Sequence, residues 1–295
     1  MNIIITGAKG QLGSDCQTVF SNSHSVTAFT RKDLDITRIS ELEARIVSLQ
    51  PDVIVNCAAF TRVDDCETEM DVAWNINVTG PENLAQLSKN CGAKLIHIST
   101  DYVFDGRKPA PEPYREDDKT GPVSYYGRTK LEGEAVVRRI TRRHAIVRTA
   151  WLYGKQGSNF LKTMLRIALA DPLKPIRVVN DQYSCPTWSY RLALQIARLI
   201  EMDGEGTYHA VCHGHCSWYD LAGYFLREMG VLHTLVPIPT SQYPTPATRP
   251  KNSILENRRL REDGIDVMGH WTKSVDEFIS LYRDELMREC IAEPV

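Results

Sequence analysis

Two residues four positions apart carry the clearest chemistry in this chain. Tyr126-Gly-Arg-Thr-Lys130 is a Tyr-x-x-x-Lys pair. On a helix, that spacing puts a phenol and an ammonium on one face. A free tyrosine titrates near pH ~10, too high for efficient proton transfer at neutral pH. A neighbouring ammonium favours the phenolate, so Lys130 is expected to lower that value. Upstream, at the end of an apolar run, stands Ser99-Thr100-Asp101. The Thr100 hydroxyl is then available to a substrate carbonyl beside Tyr126, with Asp101 next to the same ligand. Thr100, Tyr126 and Lys130 form the candidate catalytic set. Tyr125 is the weaker choice, because four residues on it meets Thr129. The plain alternative for the pair is an exposed helix start.

A second group of residues is built for phosphate. Gly7-Ala8-Lys9-Gly10-Gln11-Leu12-Gly13 lies between a strand-like pentad and a helical stretch. Glycines there let the backbone bend, approach a pyrophosphate and pack helix on strand, with the first helical amides facing the anion. The spacing is G-x-x-G-x-x-G, and three glycines alone also suit an ordinary tight turn. Strand before and helix after favour a dinucleotide. The second strand ends in Thr30-Arg31-Lys32. An acidic residue there would bind the ribose 2′-hydroxyl of NAD. Two cations favour a 2′-phosphate, hence NADPH. Asp33 and Asp35 follow closely, so NADH stays open as a tolerated cofactor.

Those residues need a scaffold that brings strand ends together. Apolar runs at 2–6, 25–29, 52–56, 94–98 and 145–148 read as strands. Helical periodicity fills Gln11 to Phe20, Ile39 to Gln50, Val72 to Asn90 and Tyr126 to Arg138. The strands lack strict alternation, as expected when helices cover both faces of a parallel sheet. The fold class is α/β, a Rossmann-type doubly wound parallel sheet. Beyond residue 150 the rhythm loosens into helices at 159–170 and 190–201 and strands at 176–179 and 207–211. A Pro/Thr-rich loop spans 237–250, and a last helix spans 274–289. The expected division is a cofactor domain over 1–150 and a smaller α/β substrate lobe over 151–295. Some elements around 185–215 return to the sheet.

Eight cysteines are scattered along the chain and read as reduced thiols. Cys212-His-Gly-His-Cys216 resembles a metal cluster, but five consecutive residues are cramped for a tetrahedral site. Ser217 with Asp220 instead reads as a helix cap. The 295 residues fit two lobes. Lys plus Arg is 35 and Asp plus Glu is 37, a net charge of −2. Such a chain lacks the field of a general nucleic-acid binder. No run of ~18 apolar residues suits a membrane span. No basic stretch leads into an apolar one near Met1, so a cytoplasmic enzyme is expected.

The order of motifs resembles the extended short-chain dehydrogenase/reductase superfamily and, within it, the dTDP-4-dehydrorhamnose reductase family. The likeness covers nearly the whole chain. It includes Leu34-Asp-Ile-Thr37, Pro51-Asp-Val-Ile-Val-Asn56, Ala58-Ala-Phe-Thr61 and Ser99-Thr-Asp-Tyr-Val-Phe104. It continues through Arg148-Thr-Ala-Trp-Leu-Tyr153, Asn180-Asp-Gln182, Pro186-Thr187, Tyr243-Pro-Thr-Pro-Ala247 and Arg249-Pro-Lys-Asn-Ser253. The resemblance implies that Gly7, Gly10, Gln11, Leu12 and Gly13 wrap the pyrophosphate. It places Thr30, Arg31, Asp35 and Ile36 by the adenosine, and Ala58, Ala59, Phe60 and Thr61 along the nicotinamide side. Trp151 would border the sugar. Arg249, Asn252 and Ser253 would meet the nucleotide part of a nucleotide-sugar substrate, a guanidinium being suited to a diphosphate. The implied reaction is NADPH-dependent reduction of the C4 ketone of dTDP-4-dehydro-L-rhamnose.

Two rivals stay open. Sugar-nucleotide dehydratases resemble this pattern but carry Thr-Asp-Glu, whereas Tyr102 follows Asp101 here. The regulatory subunit of methionine adenosyltransferase resembles the same family as a non-catalytic binding protein. Some members are dimers bridged by a divalent metal through glutamates. The matching places here hold Asp15 and Tyr190, so no metal is expected, and a homodimer stays open. The segment 105–122 is either a lid or an exposed connection.

Overall fold

The computed structural model describes residues 1–292. Its centre is a parallel sheet built from the apolar runs of the first half. β1 (Asn2–Thr6), β2 (Ser25–Phe29), β3 (Val53–Asn56), β4 (Lys94–Thr100) and β5 (His144–Thr149) lie side by side. A sixth strand, Gly206–His209, joins β5, giving the order 2-1-3-4-5 followed by that strand. All neighbours run parallel.

The inner strands β1, β3, β4 and β5 bury both faces, which explains the missing alternation, while the edge strand β2 is exposed to half-buried. Ile3, Ile5, Val53 and Val55 point into one core, while Ile4 and Ile54 point into the other. The first core is covered by α1 (Gln11–Phe20) through Leu12, Cys16 and Phe20. The second is covered by α2 (Ile39–Ile46), by a composite helix, and by α5 (Tyr125–Ile140). The composite helix is α3 (Met70–Trp74), a π turn at Asn75–Thr79, and α4 (Gly80–Cys91). It stops where Gly92 takes φ +71, a left-handed cap that glycine adopts without strain.

The second half adds β6 (Leu152–Tyr153), α6 (Phe160–Ala170), β7 (Ile176–Val179), β8 (Tyr183–Ser184) and β9 (Thr187–Trp188). α7 (Ser189–Glu201) then lies along α1, and β10 is the Gly206–His209 strand. β11 (Cys216–Ser217), α8 (Trp218–Glu228), β12 (Leu235–Ile238), α9 (Arg258–Glu262) and α10 (Trp271–Ala292) complete the described chain. Leu161, Leu192, Phe225 and Phe278 share the first core with Ile3 and Val55. One apolar interior therefore joins the two halves.

Several boundaries differ from the sequence reading. α5 begins one residue early, because Ser124 caps it by accepting from the Gly127 amide at 3.2 Å. The Pro/Thr-rich stretch starts inside β12, which pairs with β7. The last helix is longer at both ends, 271–292. At Cys212–Cys216 a turn leads into the expected cap: Ser217 and Asp220 form a reciprocal capping box at the start of α8. Among the described residues no helix is long and apolar enough to cross a membrane, and no group of three metal-binding side chains occurs.

Candidate active site

The carboxyl ends of the strands converge on a divided cleft. β1 ends at Thr6, and Gly7 turns the chain with φ +72. A Cβ on Gly7 would fall 2.7 Å from the Ala58 nitrogen, and one on Gly13 would fall 2.2 Å from the Gly7 oxygen. Only glycine lets the two loops and α1 meet there. Gly10 begins α1 with no side chain capping that end, so its first amides are left for an anion.

Two adjoining cavities share this loop. One of about 280 Å3 is lined by Gly7, Lys9, Gly10, Thr30, Arg31, Asp35, Ile36 and Ala58 to Phe60. The other, about 390 Å3, is lined by Gly10 to Gly13, Ala58, Ala59, Thr61, Thr100, Asp101, Tyr126, Lys130 and Trp151. The fold thus gathers most of the candidate residues from six separate segments. A larger hollow of about 630 Å3 sits at the opposite edge of the sheet around Asp52, Lys94 and Asp203. It contains none of the candidate site residues.

The catalytic candidates are positioned by short, buried contacts. Thr100 Oγ1 donates to Asp101 Oδ1 at 2.9 Å and accepts from the Tyr102 amide at 3.2 Å. Gly127 lets α5 press onto this turn, since a Cβ there would fall 2.2 Å from the Tyr102 oxygen. Lys130 Nζ donates to the Ile98 oxygen at 2.7 Å. Burial lowers the Lys130 ammonium to a pKa of about 8, against an opposing pull from Glu134.

Tyr126 differs from the expectation. Burial pushes its phenol well above the ordinary value, more than the neighbouring Thr100 side chain pulls it down. Desolvation of the phenolate outweighs any help from Lys130, whose proton is directed at a backbone carbonyl. Burial likewise raises Asp101 to about 6, against the downward pull of Ser253 and of the Thr100 and Ser184 hydroxyls that hydrogen-bond to it.

Asn77, in the π turn, had no sequence signal. Its side chain accepts from the Phe60 amide at 2.8 Å and donates to the Phe60 oxygen at 3.0 Å and Thr129 Oγ1 at 3.1 Å. It clamps the loop beside the cleft to the helix that carries Tyr126 and Lys130. Such π turns are frequent at functional sites.

On the other side, Trp151 takes φ +42 and stacks on Trp218, ring centres 3.4 Å apart and planes within 10°. Trp218 borders a third cavity of about 260 Å3, with Arg177, Gln182, Tyr243 and Arg249. Arg249 pairs with Asp64 through two bonds of 3.1 and 2.7 Å. Asn252 lines none of the three cavities. Its amide donates to the oxygens of Lys108 and Glu112 and its oxygen accepts from the Ile254 amide. Buried and fully bonded, it braces a loop. Ser253 is buried and its backbone oxygen accepts from Ser184, which also donates to Asp101.

The segment 105–122 is fastened down. Tyr114 stacks on Phe104 at 4.4 Å and exchanges backbone bonds with Ile254 and Glu256. Arg148 reaches the Glu116 oxygen, and Lys108 pairs with Asp118. None of its residues lines these three cavities, which favours a fixed connection over a lid.

The family model of the RmlD substrate binding domain matches residues 1–283. A dTDP-4-dehydrorhamnose reductase of Escherichia coli is 37% identical, covering 95% of this chain and 97% of the relative. The chain belongs to the dTDP-4-dehydrorhamnose reductase family. A crystal structure of a dTDP-4-dehydrorhamnose reductase from Clostridium acetobutylicum superposes with a TM-score of 0.92 at 42% identity, over 96% of this chain and all of that one. One from Bacillus anthracis, in complex with NADP, gives 0.92 at 39% identity, over 95% and 99%.

Two features set this member of the reductase family apart from the rivals. Where a dehydratase carries its second acid, Tyr102 is half-buried and packs edge-on against Tyr126 at 5.7 Å. The carboxylates near the adenosine end are also occupied. Asp33 accepts from the Thr30 amide and hydroxyl, and Asp35 accepts from the Thr37 amide and hydroxyl. Arg31 and Lys9 line the smaller of the two adjoining cavities together with Asp35.

Proposed function

We propose that this protein reduces the C4 ketone of dTDP-4-dehydro-L-rhamnose to dTDP-L-rhamnose. The observation that carries the reading is the convergence of Thr100, Tyr126 and Lys130 on one cavity that also opens on the glycine loop. The Gly7 and Gly13 contacts form a cradle that any Cβ would fill, as a dinucleotide pyrophosphate requires. Gly10, Gln11 and Leu12 would hold the pyrophosphate, Thr30 and Arg31 the 2′-phosphate, and Asp35 and Ile36 the adenine side. Ala58, Ala59, Phe60 and Thr61 would line the nicotinamide. Bound there, NADPH supplies the hydride for the ketone carbon.

Tyr126 gives its phenolic proton to the developing alkoxide. Burial keeps that phenol protonated, which is the form a proton donor needs. Thr100 orients the carbonyl oxygen, and Lys130 stabilises the tyrosinate left behind. Trp151 borders the sugar. Three of the five Arg249 N–H donors are used by Asp64 and Ala247, leaving two for a substrate diphosphate. Asn252 and Ser253 contribute by holding that loop and Asp101. On this reading residues 1–150 carry the cofactor side, and the later residues, β10 apart, carry the substrate side. The NADPH supply and a soluble nucleotide sugar place the reaction in the cytoplasm.

The test is turnover of dTDP-, UDP- and GDP-linked 4-keto-6-deoxy sugars with NADPH and with NADH, followed by cofactor absorbance. The dTDP sugar with NADPH should be fastest. Absence of oxidation with every keto sugar overturns the reading.

A further inference from the structure

Two stacked indoles link the catalytic cavity to the third one. Trp151 lines the cavity that holds Thr100, Tyr126 and Lys130, and Trp218 lines the third cavity with Arg249. Their ring centres lie 3.4 Å apart with planes within 10°, so Trp218 covers one face of the Trp151 indole. The opposite face and the edge are left for a ligand. Trp151 also takes φ +42. A left-handed backbone under a bulky side chain persists only where the surroundings over-determine it. The Thr187 amide holds the Trp151 oxygen at 3.2 Å, and Trp218 holds the ring. Trp218 is itself held from several sides. It is the first residue of α8, whose start is locked by the Ser217–Asp220 capping box. Phe160 packs against it, ring centres 4.5 Å apart. Its Nε1 donates to Oε1 of the buried Gln182 at 3.2 Å, and Gln182 Nε2 donates to Thr240 Oγ1 at 3.1 Å. Asp181 anchors Thr240 by accepting from its amide at 2.7 Å and its hydroxyl at 2.6 Å. A chain of hydrogen bonds from Asp181 therefore ends on the ring that backs Trp151.

We propose that Trp218 is a positioning residue for the ketone reduction: it backs Trp151, so that the indole bordering the sugar stays fixed, and Gln182 fixes Trp218 in turn. The inference rests on the reductase reading above, in which Trp151 borders the sugar. Trp218 does not line the catalytic cavity, and it acts through Trp151. The ketone must stay in line with both the hydride and the Tyr126 proton, and a misplacement of about 1 Å costs ~10²-fold in rate. A planar side chain gives the sugar a rigid wall at small entropic cost, provided its own rotamer is locked. Without the Trp218 ring, Trp151 has a vacant face and a strained backbone free to relax. The sugar would still bind through its nucleotide, but with its ketone held loosely. The loss therefore falls on kcat rather than on nucleotide affinity.

The experiment uses the full chain with NADPH and the dTDP-linked 4-keto-6-deoxy sugar. Cofactor absorbance gives kcat, inhibition by dTDP alone reports the nucleotide site, and far-ultraviolet circular dichroism reads the exciton couplet of the stacked indoles. Trp218→Leu should abolish the couplet and lower kcat about 10²-fold, with NADPH and dTDP affinities unchanged. Trp218→Phe keeps a flat ring against Trp151 and should restore most of that kcat. Gln182→Met removes the acceptor of the indole N–H and should lower kcat roughly fivefold, as the loss of one hydrogen bond does. A normal kcat in Trp218→Leu with the couplet gone overturns the proposal. So does weaker dTDP inhibition at normal kcat, which makes Trp218 a nucleotide contact, and so does a Trp218→Phe as slow as Trp218→Leu. If Trp218→Leu no longer binds NADPH, Gln182→Met decides, and a wild-type kcat there overturns the proposal. A wild-type protein that oxidises NADPH with no keto sugar overturns the reductase reading itself and this inference with it, whatever the couplet shows.

Discussion

The buried ammonium of Lys130 donates to the Ile98 carbonyl oxygen at 2.7 Å. That bond ties α5 to β4 two residues before Thr100. Burial brings the ammonium to a pKa of about 8 in the cofactor-free protein. The group is charged below that value and neutral above it. Turnover that depends on the cation should therefore fall as pH rises through about 8. The pH profile of kcat/KM checks this. Lys130→Arg, which stays charged throughout, should flatten the alkaline limb even at reduced activity. An alkaline limb unchanged in Lys130→Arg would sink the assignment.

Tyr126→Phe removes one oxygen and, on the proposed mechanism, the proton given to the developing alkoxide. General acid catalysis contributes roughly 10²–10⁴-fold, so kcat should drop by about that factor. NADPH binding, measured by fluorescence titration, should be unchanged, because the glycine loop is untouched. Near-normal kcat would remove Tyr126 from the mechanism.

Arg249 separates binding from chemistry. Hydrogen bonds to charged groups contribute about 1.5–3 kcal/mol, so Arg249→Ala should raise KM for the nucleotide sugar roughly 10- to 100-fold. The kcat should change little. If KM stays put while thermal stability falls, Arg249 serves only its ion pair with Asp64.

Glu134 tests the floor of the site. It is fully buried and accepts from Arg148 Nε at 2.8 Å and Nη2 at 2.7 Å, with Arg138 as a further partner. Burial pushes its carboxyl up, but Arg148 pulls it further down, so the net shift is below the ordinary 4.5. A depressed carboxyl stabilises the fold above its unfolded pKa and loses that contribution as pH falls. Glu134→Gln leaves Arg148 buried and unpaired, which costs about 3–5 kcal/mol. Urea denaturation at neutral pH should show that loss. The double change Glu134→Gln, Arg148→Met should recover much of it, and failure to do so would point to packing instead.

The legible part of the site was local. Tyr126 and Lys130 share a helix face by spacing alone, and Thr100 ends a strand that its own apolar run defines. Gly7 and Gly13 announced a tight approach, and the structure adds which atoms they approach. Less visible were contacts between distant segments. Asp64 and Arg249 stand 185 positions apart. Trp218 reached the cleft only because α8 packs its first residue against Trp151. Asn77 looked like one more polar residue in a helix, yet the π turn aims it at Phe60 and Thr129.

Periodicity and turn chemistry are written within a few residues of each other, so the sequence alone determined the doubly wound sheet, the glycine turn after β1 and which residues are candidates for catalysis. Protonation and pairing depend on atoms brought from elsewhere. Only the tertiary structure decided that burial, rather than Lys130, governs Tyr126. It likewise decided that Asn252 braces a loop. Desolvation and long-range contact exist only once the chain has closed around them.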